Sequence, residues 1–446
     1  VCAIGAAACL CSGPQDGSAI GQAMPSTNLN KNGHGLRVLI GAVSSLLLSA
    51  AQGAGFYIQE VGTPRSLGTA GVANATSTGA DAAWSNPAGM AFIDQDQMFA
   101  GVQLIVPKVE FDPGVASTGG DDGGNAGIPT DVTGFFYVHK HSDRLRLGLS
   151  LAGTMGGGFD YGNGFAGRYS TIQAQLGAVG LSPSLAYRVS ERISVGAGVS
   201  ILYTLFEQQI AINPAVVPTV NGDDGRLKIE DADDVGYQPY FSVNYQFNNA
   251  LLLSAVYRAE MDVELSGDVK VNNVALPIGA DKVDIDWKNP QWLEAGVRYR
   301  YTDRDTLLFN AGWQDWSVFS ENRLAFSGGV LNPVAQLDRN FKDTWHAGVA
   351  YAHQTARAGI YSIGFSYDSS PVDDEDRTFD LPMEELFKLS GSYSWETNKN
   401  LAYSLGATLY LVGDAPIDQT SQGVRVKGEF DTNAILFLGG TIRYVF

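Results

Sequence analysis

Beyond Cys11 this chain of 446 residues has no cysteine: Cys2, Cys9 and Cys11 all precede Met24. A disulfide framework or a cysteine-ligated metal centre is thereby excluded for the rest of the chain. Outside the N-terminal region no run of eighteen or more apolar residues occurs, so helical membrane spans are not expected. Positive charge is scarce. Lys and Arg number 29 against 47 Asp and Glu, a formal net charge of −18, whereas a nucleic-acid binder needs a surplus of cations on some face.

Catalytic and metal-binding motifs are missing as well. His139, His141, His346 and His353 show no metal-ligand spacing and no H-E-x-x-H run, so no metal is expected. No Gly-x-Ser-x-Gly elbow occurs, and neither catalytic residues nor a cofactor are expected. Gly162–Gly167 spells G-x-G-x-x-G, but it follows no strand of a βαβ unit and has loop composition on both sides. The acidic clusters Asp121–Asp122, Asp223–Asp224, Glu230–Asp234 and Asp373–Asp376 read as solvated charge, mostly in long connections.

What is present is alternation. Leu145, Leu147, Leu149 and Leu151 interleave with Arg146, Gly148, Ser150 and Ala152; Leu436, Leu438, Ile442, Tyr444 and Phe446 share one face of the final segment. This period of two marks strands with one apolar and one small or polar face. Abundant Gly, Tyr and Phe with only 17% charged residues suit strands that show their apolar face to lipid. Fourteen strand candidates follow from about residue 95, near 95–111, 130–140, 143–153, 178–190, 192–212, 226–247, 249–265, 283–301, 304–318, 341–353, 356–370, 384–396, 400–413 and 432–446. Their connections alternate between tight turns rich in Asn, Asp, Ser and Thr and stretches of roughly 12 to 25 residues, well beyond ordinary hairpin loops. The expectation is an all-β, 14-stranded antiparallel transmembrane β-barrel with short periplasmic turns and long external loops.

Residues 1–23 are expected to be a non-native or dispensable extension, with Met24 as the start. Residues 24–53 have the form of a signal peptide: Lys31, His34 and Arg37, then the apolar Leu36–Ala50, then Ala51-Gln52-Gly53. Residues 54–94 lack strand periodicity and are expected either to be periplasmic or to plug the lumen, with residues 95–446 as the barrel. The terminal Phe446 suggests recognition by the outer-membrane assembly machinery, and the location expected is the bacterial outer membrane.

A resemblance appears at Ala54-Gly55-Phe56, in the small-residue run Gly68, Ala70, Gly71 and Ala73, and at Asn86-Pro87-Ala88. It continues through Ser182–Arg188 into Ile193–Gly198, then Pro290-Gln291-Trp292, Trp313 with Trp316, Phe341-Lys342-Asp343 and Phe365–Val372. In order and spacing these pieces resemble the FadL/OmpP1/TodX family of outer-membrane transporters for hydrophobic compounds. The resemblance implies that residues 54–94 form a small N-terminal hatch, or plug, inside the lumen, with Ala54, Gly55, Phe56, Asn86, Pro87 and Ala88 as its marking residues. It also implies capture of cargo by external loops, a lumenal pocket, and sideways release where the third strand bends inward. Gly153, Gly156, Gly157 and Gly158 are the residues expected beside that opening.

In fatty-acid members, cationic lumenal side chains meet the carboxylate, one of them just beyond the strand matching Ser194–Tyr203. Here Thr204–Ile210 has no Arg or Lys, and Arg168 and Arg339 are the substitutes expected to bind substrate. The function expected is uptake of hydrophobic small molecules, first of all long-chain fatty acids, by a monomer with outer-membrane lipid around it. Aromatic or alkane hydrocarbons are the alternative cargo. Two other classes stay open: an outer-membrane lipid hydrolase, disfavoured because His139 and His141 fall at the periplasmic end, and a diffusion porin, disfavoured by the hatch segment.

Overall fold

The computed structural model describes residues 63–275, 280–329, 334–356 and 359–446. The expected extension 1–23, the signal peptide 24–53 and the expected hatch residues Ala54, Gly55 and Phe56 lie outside the described residues.

From Gln97 onward the described chain is nearly all strand: β1 (Gln97–Ala116), β2 (Thr130–Lys140), β3 (Leu145–Asp160), β4 (Gln173–Arg188), β5 (Ile193–Ile212), β6 (Gly225–Gln246), β7 (Leu251–Arg258), β8 (Met261–Asn272), β9 (Lys282–Asn289) and β10 (Trp292–Arg300). Then come β11 (Asp305–Gln314), β12 (Glu321–Ser327), β13 (Val334–Asp338), β14 (Thr344–Gln354), β15 (Ile360–Asp368), β16 (Leu386–Glu396), β17 (Leu401–Val412), β18 (Ile417–Ser421) and β19 (Val424–Val445). Five consecutive pairs are single staves with an interruption: β7 with β8, β9 with β10, β11 with β12, β13 with β14, and β17 with β18. In the first three pairs both members lie between the same two neighbouring staves, whereas β13 and β18 prolong their staves along one neighbour only, β12 and β19 respectively, so the wall has fourteen staves. Pro290, which has no N–H to give a ladder, sits in one of these interruptions. Every neighbouring pair is antiparallel, and β19 pairs with β1 from Gln97↔Val445 onward, which closes the barrel.

Tight turns follow β2, β4, β6, β10, β14 and β16. In five of them a polar side chain accepts the backbone N–H three residues on: Ser142 to Leu145, Ser190 to Ile193, Asn248 to Leu251, Thr302 to Asp305 and Asn398 to Leu401, at 2.9–3.1 Å. The chain reverses there because these residue types can satisfy a turn's own backbone. Long connections occupy the other end. Leu147, Leu149, Leu405, Leu436, Leu438 and Ile442 are exposed on the outer wall, whereas Arg146, Ser150, Thr408 and Phe437 are buried inside. Tyr187, Tyr245, Tyr299, Tyr301, Tyr361, Tyr393 and Tyr444 form an exposed belt near the short turns, the position of an interfacial aromatic girdle.

Several boundaries differ from the sequence expectation, because strands run on into stretches read as long connections, as β8 does to Asn272 and β19 from Val424. The third strand does not end near residue 153 but continues to Asp160, and the fourth begins at Gln173. The segment Gly153–Gly158 lacks side-chain alternation yet keeps extended backbone, because it bonds along β4. Within 319–340, read as a plain connection, β12 and β13 prolong the wall as a hairpin.

Candidate functional site

The segment before β1 fills the lumen with short helical turns, Pro64–Leu67, Asn74–Thr76, Ala82–Ser85 and Pro87–Phe92. Pro87 opens the last of these, where its fixed φ suits a helix start and its missing N–H costs nothing. Asn86 is fully buried; its amide donates to the Ala75 carbonyl at 2.7 Å and meets the Asn244 amide at 3.0 Å. The Ala88 N–H donates to Ser242 Oγ at 2.8 Å, and Ser194 Oγ donates to the Ala88 carbonyl at 3.0 Å. Asn86-Pro87-Ala88 is thus tied to inward residues of β5 and β6. Close by, Arg258 is buried with its guanidinium 4.7 Å from the Trp84 ring centre, 4.2 Å from Tyr240 and 5.6 Å from Trp292, and it donates to Ser200 Oγ and the Trp84 carbonyl.

The wall itself has a break. The ladder between β2 and β3 runs from Lys140↔Arg146 to Gly134↔Ala152 and stops; it resumes only with the bridge Gly127↔Phe159. Residues 130–133 still pair with β1, and residues 153–157 still follow β4, with Thr154 bulged between Gly153 and Met155. Across roughly 15–20 Å, at about 3.3 Å per residue, adjacent staves are therefore not stitched together. Gly153, Gly156 and Gly157 lie along this break and Gly158 at its outer end, where its carbonyl accepts the Ile128 N–H at 3.5 Å.

Behind the break is an apolar cavity. It is lined by Gly156, Gly157, Phe159, Ala174, Gln175 and Leu176 from β3 and β4, by Phe206 and Trp287, and by Leu381, Pro382 and Met383 from the connection after β15. Its walls nearly meet, leaving about 30 Å³. Two charged residues line it, Arg339 and Asp380. The guanidinium holds the carboxylate bidentately at 2.8 and 2.6 Å, and also donates to Thr378 Oγ1 at 2.7 Å and Asn322 Oδ1 at 3.2 Å. Both side chains are buried. Burial pushes the Asp380 carboxyl up, but Arg339 and the Thr378 hydroxyl outweigh it and hold the group below its ordinary value.

The connection that carries Asp380 is anchored from outside as well. Phe379 packs edge-on against Phe111 and Phe165, both at 5.0 Å between ring centres, and its carbonyl accepts the Tyr161 hydroxyl at 3.0 Å. Arg377 is fully buried and donates to the Met383 and Pro416 carbonyls, while pairing with Asp374 and Glu384. This stretch is a cap over the cavity.

Of the residues singled out from sequence, Arg339, Gly156 and Gly157 meet at one cavity. Arg168 lies elsewhere, among external connections, with its Nε 2.7 Å from Asp224 and its guanidinium over Tyr169. Asp380, Phe206 and Trp287 were not foreseen; the pattern of a lone Asp in Thr378-Phe379-Asp380-Leu381-Pro382 carries no signal until the fold sets it against Arg339. Also unforeseen is a buried polar chain on β10, β11, β14, β15 and β16. Glu294 accepts from Asn310 at 2.6 Å, Asn310 meets His346 at 2.8 Å, and Asp368 joins His346 at 2.8 Å to Lys388 at 3.2 Å. Among the described residues no cluster of His, Cys, Asp or Glu could hold a metal ion.

Comparison with known proteins agrees with this architecture. Residues 44–446 match the family model described as outer membrane protein transport protein (OMPP1/FadL/TodX). The long-chain fatty acid transport protein of Salmonella typhi is 22% identical over 354 residues, 74% of this chain and 81% of that protein. Outer membrane protein P1 of Haemophilus influenzae is 24% identical over 420 residues, 83% and 89% of the two chains. A Pseudomonas aeruginosa FadL homologue superposes with a TM-score of 0.79 at 19% identity, covering 88% of this chain and all of that one. The P. putida toluene transporter TodX gives 0.66 at 17% identity, covering 83% and 95%. With its closed fourteen-stave wall and filled lumen, the chain belongs to the OMPP1/FadL/TodX family of bacterial outer-membrane transport proteins for hydrophobic compounds.

Proposed function

We propose that hydrophobic cargo, a fatty acid or an uncharged hydrocarbon, occupies the cavity behind β3 and leaves sideways into the membrane through the break between β2 and β3. The observation that carries this reading is the adjacency of the two: Gly156 and Gly157 line the cavity and lie on the unstitched edge. An apolar slot with few polar groups suits such cargo. Because the walls nearly meet, cargo has to part them, and glycines on one wall offer least resistance. The axial route is packed by the hatch, whose Asn86-Pro87-Ala88 is bonded to the wall. The cavity's one cation, Arg339, is a partner for a carboxylate cargo, but it already holds Asp380, which weighs toward the uncharged cargo. The reading involves one chain, no cofactor and no covalent chemistry.

Uptake of radiolabelled oleate and of toluene, in cells with and without the gene, tests it. Dependence of either on the gene is expected. If neither depends on it, the transport reading fails, and lipid hydrolysis by the purified barrel becomes the next assay.

A further inference from the structure

An ionised head group entering an apolar cavity needs a counter-charge, because a carboxylate stripped of water and left unpaired is severely penalised. Among the residues that line this cavity Arg339 is the sole cation. Its planar fork presents two parallel donors, the arrangement that fits a carboxylate best. Both donors are already taken by Asp380, at 2.8 and 2.6 Å, and Thr378 and Asn322 accept at Nη1 and Nε. A cargo carboxylate thus finds its seat filled by a carboxylate of the protein. The incumbent is hard to dislodge: Phe379 is locked into the aromatic cluster on one side, and Arg377 holds the Met383 carbonyl on the other. A bare hydrocarbon terminus needs only the apolar walls, and a hydroxyl needs one uncharged hydrogen-bond partner, a type the lining supplies in Gln175.

We infer that Asp380 is a built-in competitor for the cargo's head group, a specificity-determining residue through which the cavity takes an uncharged hydrophobic molecule in preference to the carboxylate of the same chain length. A fatty acid binds by displacing Asp380 from Arg339; an alcohol or hydrocarbon binds with the pair intact. This rests on the reading of the cavity as the cargo site.

Equilibrium dialysis of the purified full-length barrel in amphipol, with radiolabelled dodecanoate and dodecanol at about pH 8, where the acid is ionised, reads the preference directly. The wild-type protein binds dodecanol more tightly. Asp380→Asn frees the guanidinium and tightens dodecanoate roughly tenfold or more, as a regained charge-assisted bond should, with dodecanol unchanged within about twofold. The double variant Arg339→Gln/Asp380→Asn loses that gain and still binds dodecanol. Heat-modifiable migration on gels verifies that each variant is folded, and Ala174→Phe, which fills the cavity, abolishes both ligands. An unchanged dodecanoate to dodecanol ratio in folded Asp380→Asn overturns the assignment of Asp380 alone. Undiminished binding of both ligands by Ala174→Phe overturns the cavity as the cargo site.

Discussion

Gly196 on β5 and Ala88 in the hatch approach so closely that a Cβ on the glycine would stand 2.3 Å from the alanine's backbone nitrogen. Backbone meets backbone, with no flexible side chain to yield. Gly364 meets the Thr69 backbone in the same way, while the space at Gly148 and Gly348 is taken by the Met90 and Val72 side chains. The inward glycines of the wall are space reserved for the hatch.

Gly196→Val is therefore expected to expel Asn86-Pro87-Ala88 from its seat, at a cost of about 1–3 kcal/mol from overpacking. Limited proteolysis of the folded barrel at Arg65 would report it as faster cleavage in the hatch. Cleavage at the wild-type rate would mean that the contact is not a constraint.

Arg258 joins hatch to wall through a cage of Trp84, Tyr240 and Trp292. Arg258→Lys keeps the charge but loses the flat stacking surface and the directed bonds to Ser200 and the Trp84 carbonyl. A loss of about 1–3 kcal/mol in unfolding free energy is expected, read as a lower urea midpoint of the refolded barrel, since hydrogen bonds from a charged group contribute on that order. A midpoint equal to wild type would show that the cage is incidental.

Bulk at the unstitched edge should stop transport without unfolding the barrel. With Gly156→Leu or Gly157→Leu, oleate or toluene uptake is expected to fall by about tenfold or more, since overpacking a narrow cavity removes the room cargo must open. Wild-type uptake by both folded variants would remove the edge from the pathway.

The cap over the cavity has an acid limb. The Asp380 carboxyl is held below its ordinary 3.8 by Arg339 and Thr378 against the opposing effect of burial, so its contribution is complete above that value. It is lost as pH falls through the lower folded value. Glu384 runs the other way: burial raises it above 4.5 although Arg377 opposes this, so its contribution declines as pH rises through the raised folded value. Hydrogen exchange in residues 374–385 should accelerate below about pH 3.8 in the wild type, and Asp380→Asn should lack that acid limb. An identical pH profile in the variant would contradict the role of the pair.

The barrel was legible because period-two alternation and turn chemistry are local: Leu145–Ala152 and Ser142 carry their meaning within a few residues. Asn86-Pro87-Ala88 and Gly196 were visible as pieces of a pattern, but that one fits against the other is a fact of closure. Strand β3 was cut short because Gly153–Gly158 shows no alternation; its extended state comes from pairing with β4. The Arg339–Asp380 pair was out of reach for a stronger reason. Forty-one residues separate the partners, and neither position carries a periodic signal.

The central claim is that cargo passes between β2 and β3, and one reversible covalent tie tests it most directly. A Cβ at Gly153 would lie 3.9 Å from the Val132 Cβ across the break, within the usual span of a disulfide, and no cysteine follows Cys11. In Val132→Cys/Gly153→Cys the oxidised barrel, with its edges pinned together, is expected to lose oleate or toluene uptake, and reduction with dithiothreitol should restore it. Uptake at the wild-type rate with the disulfide formed would contradict the account.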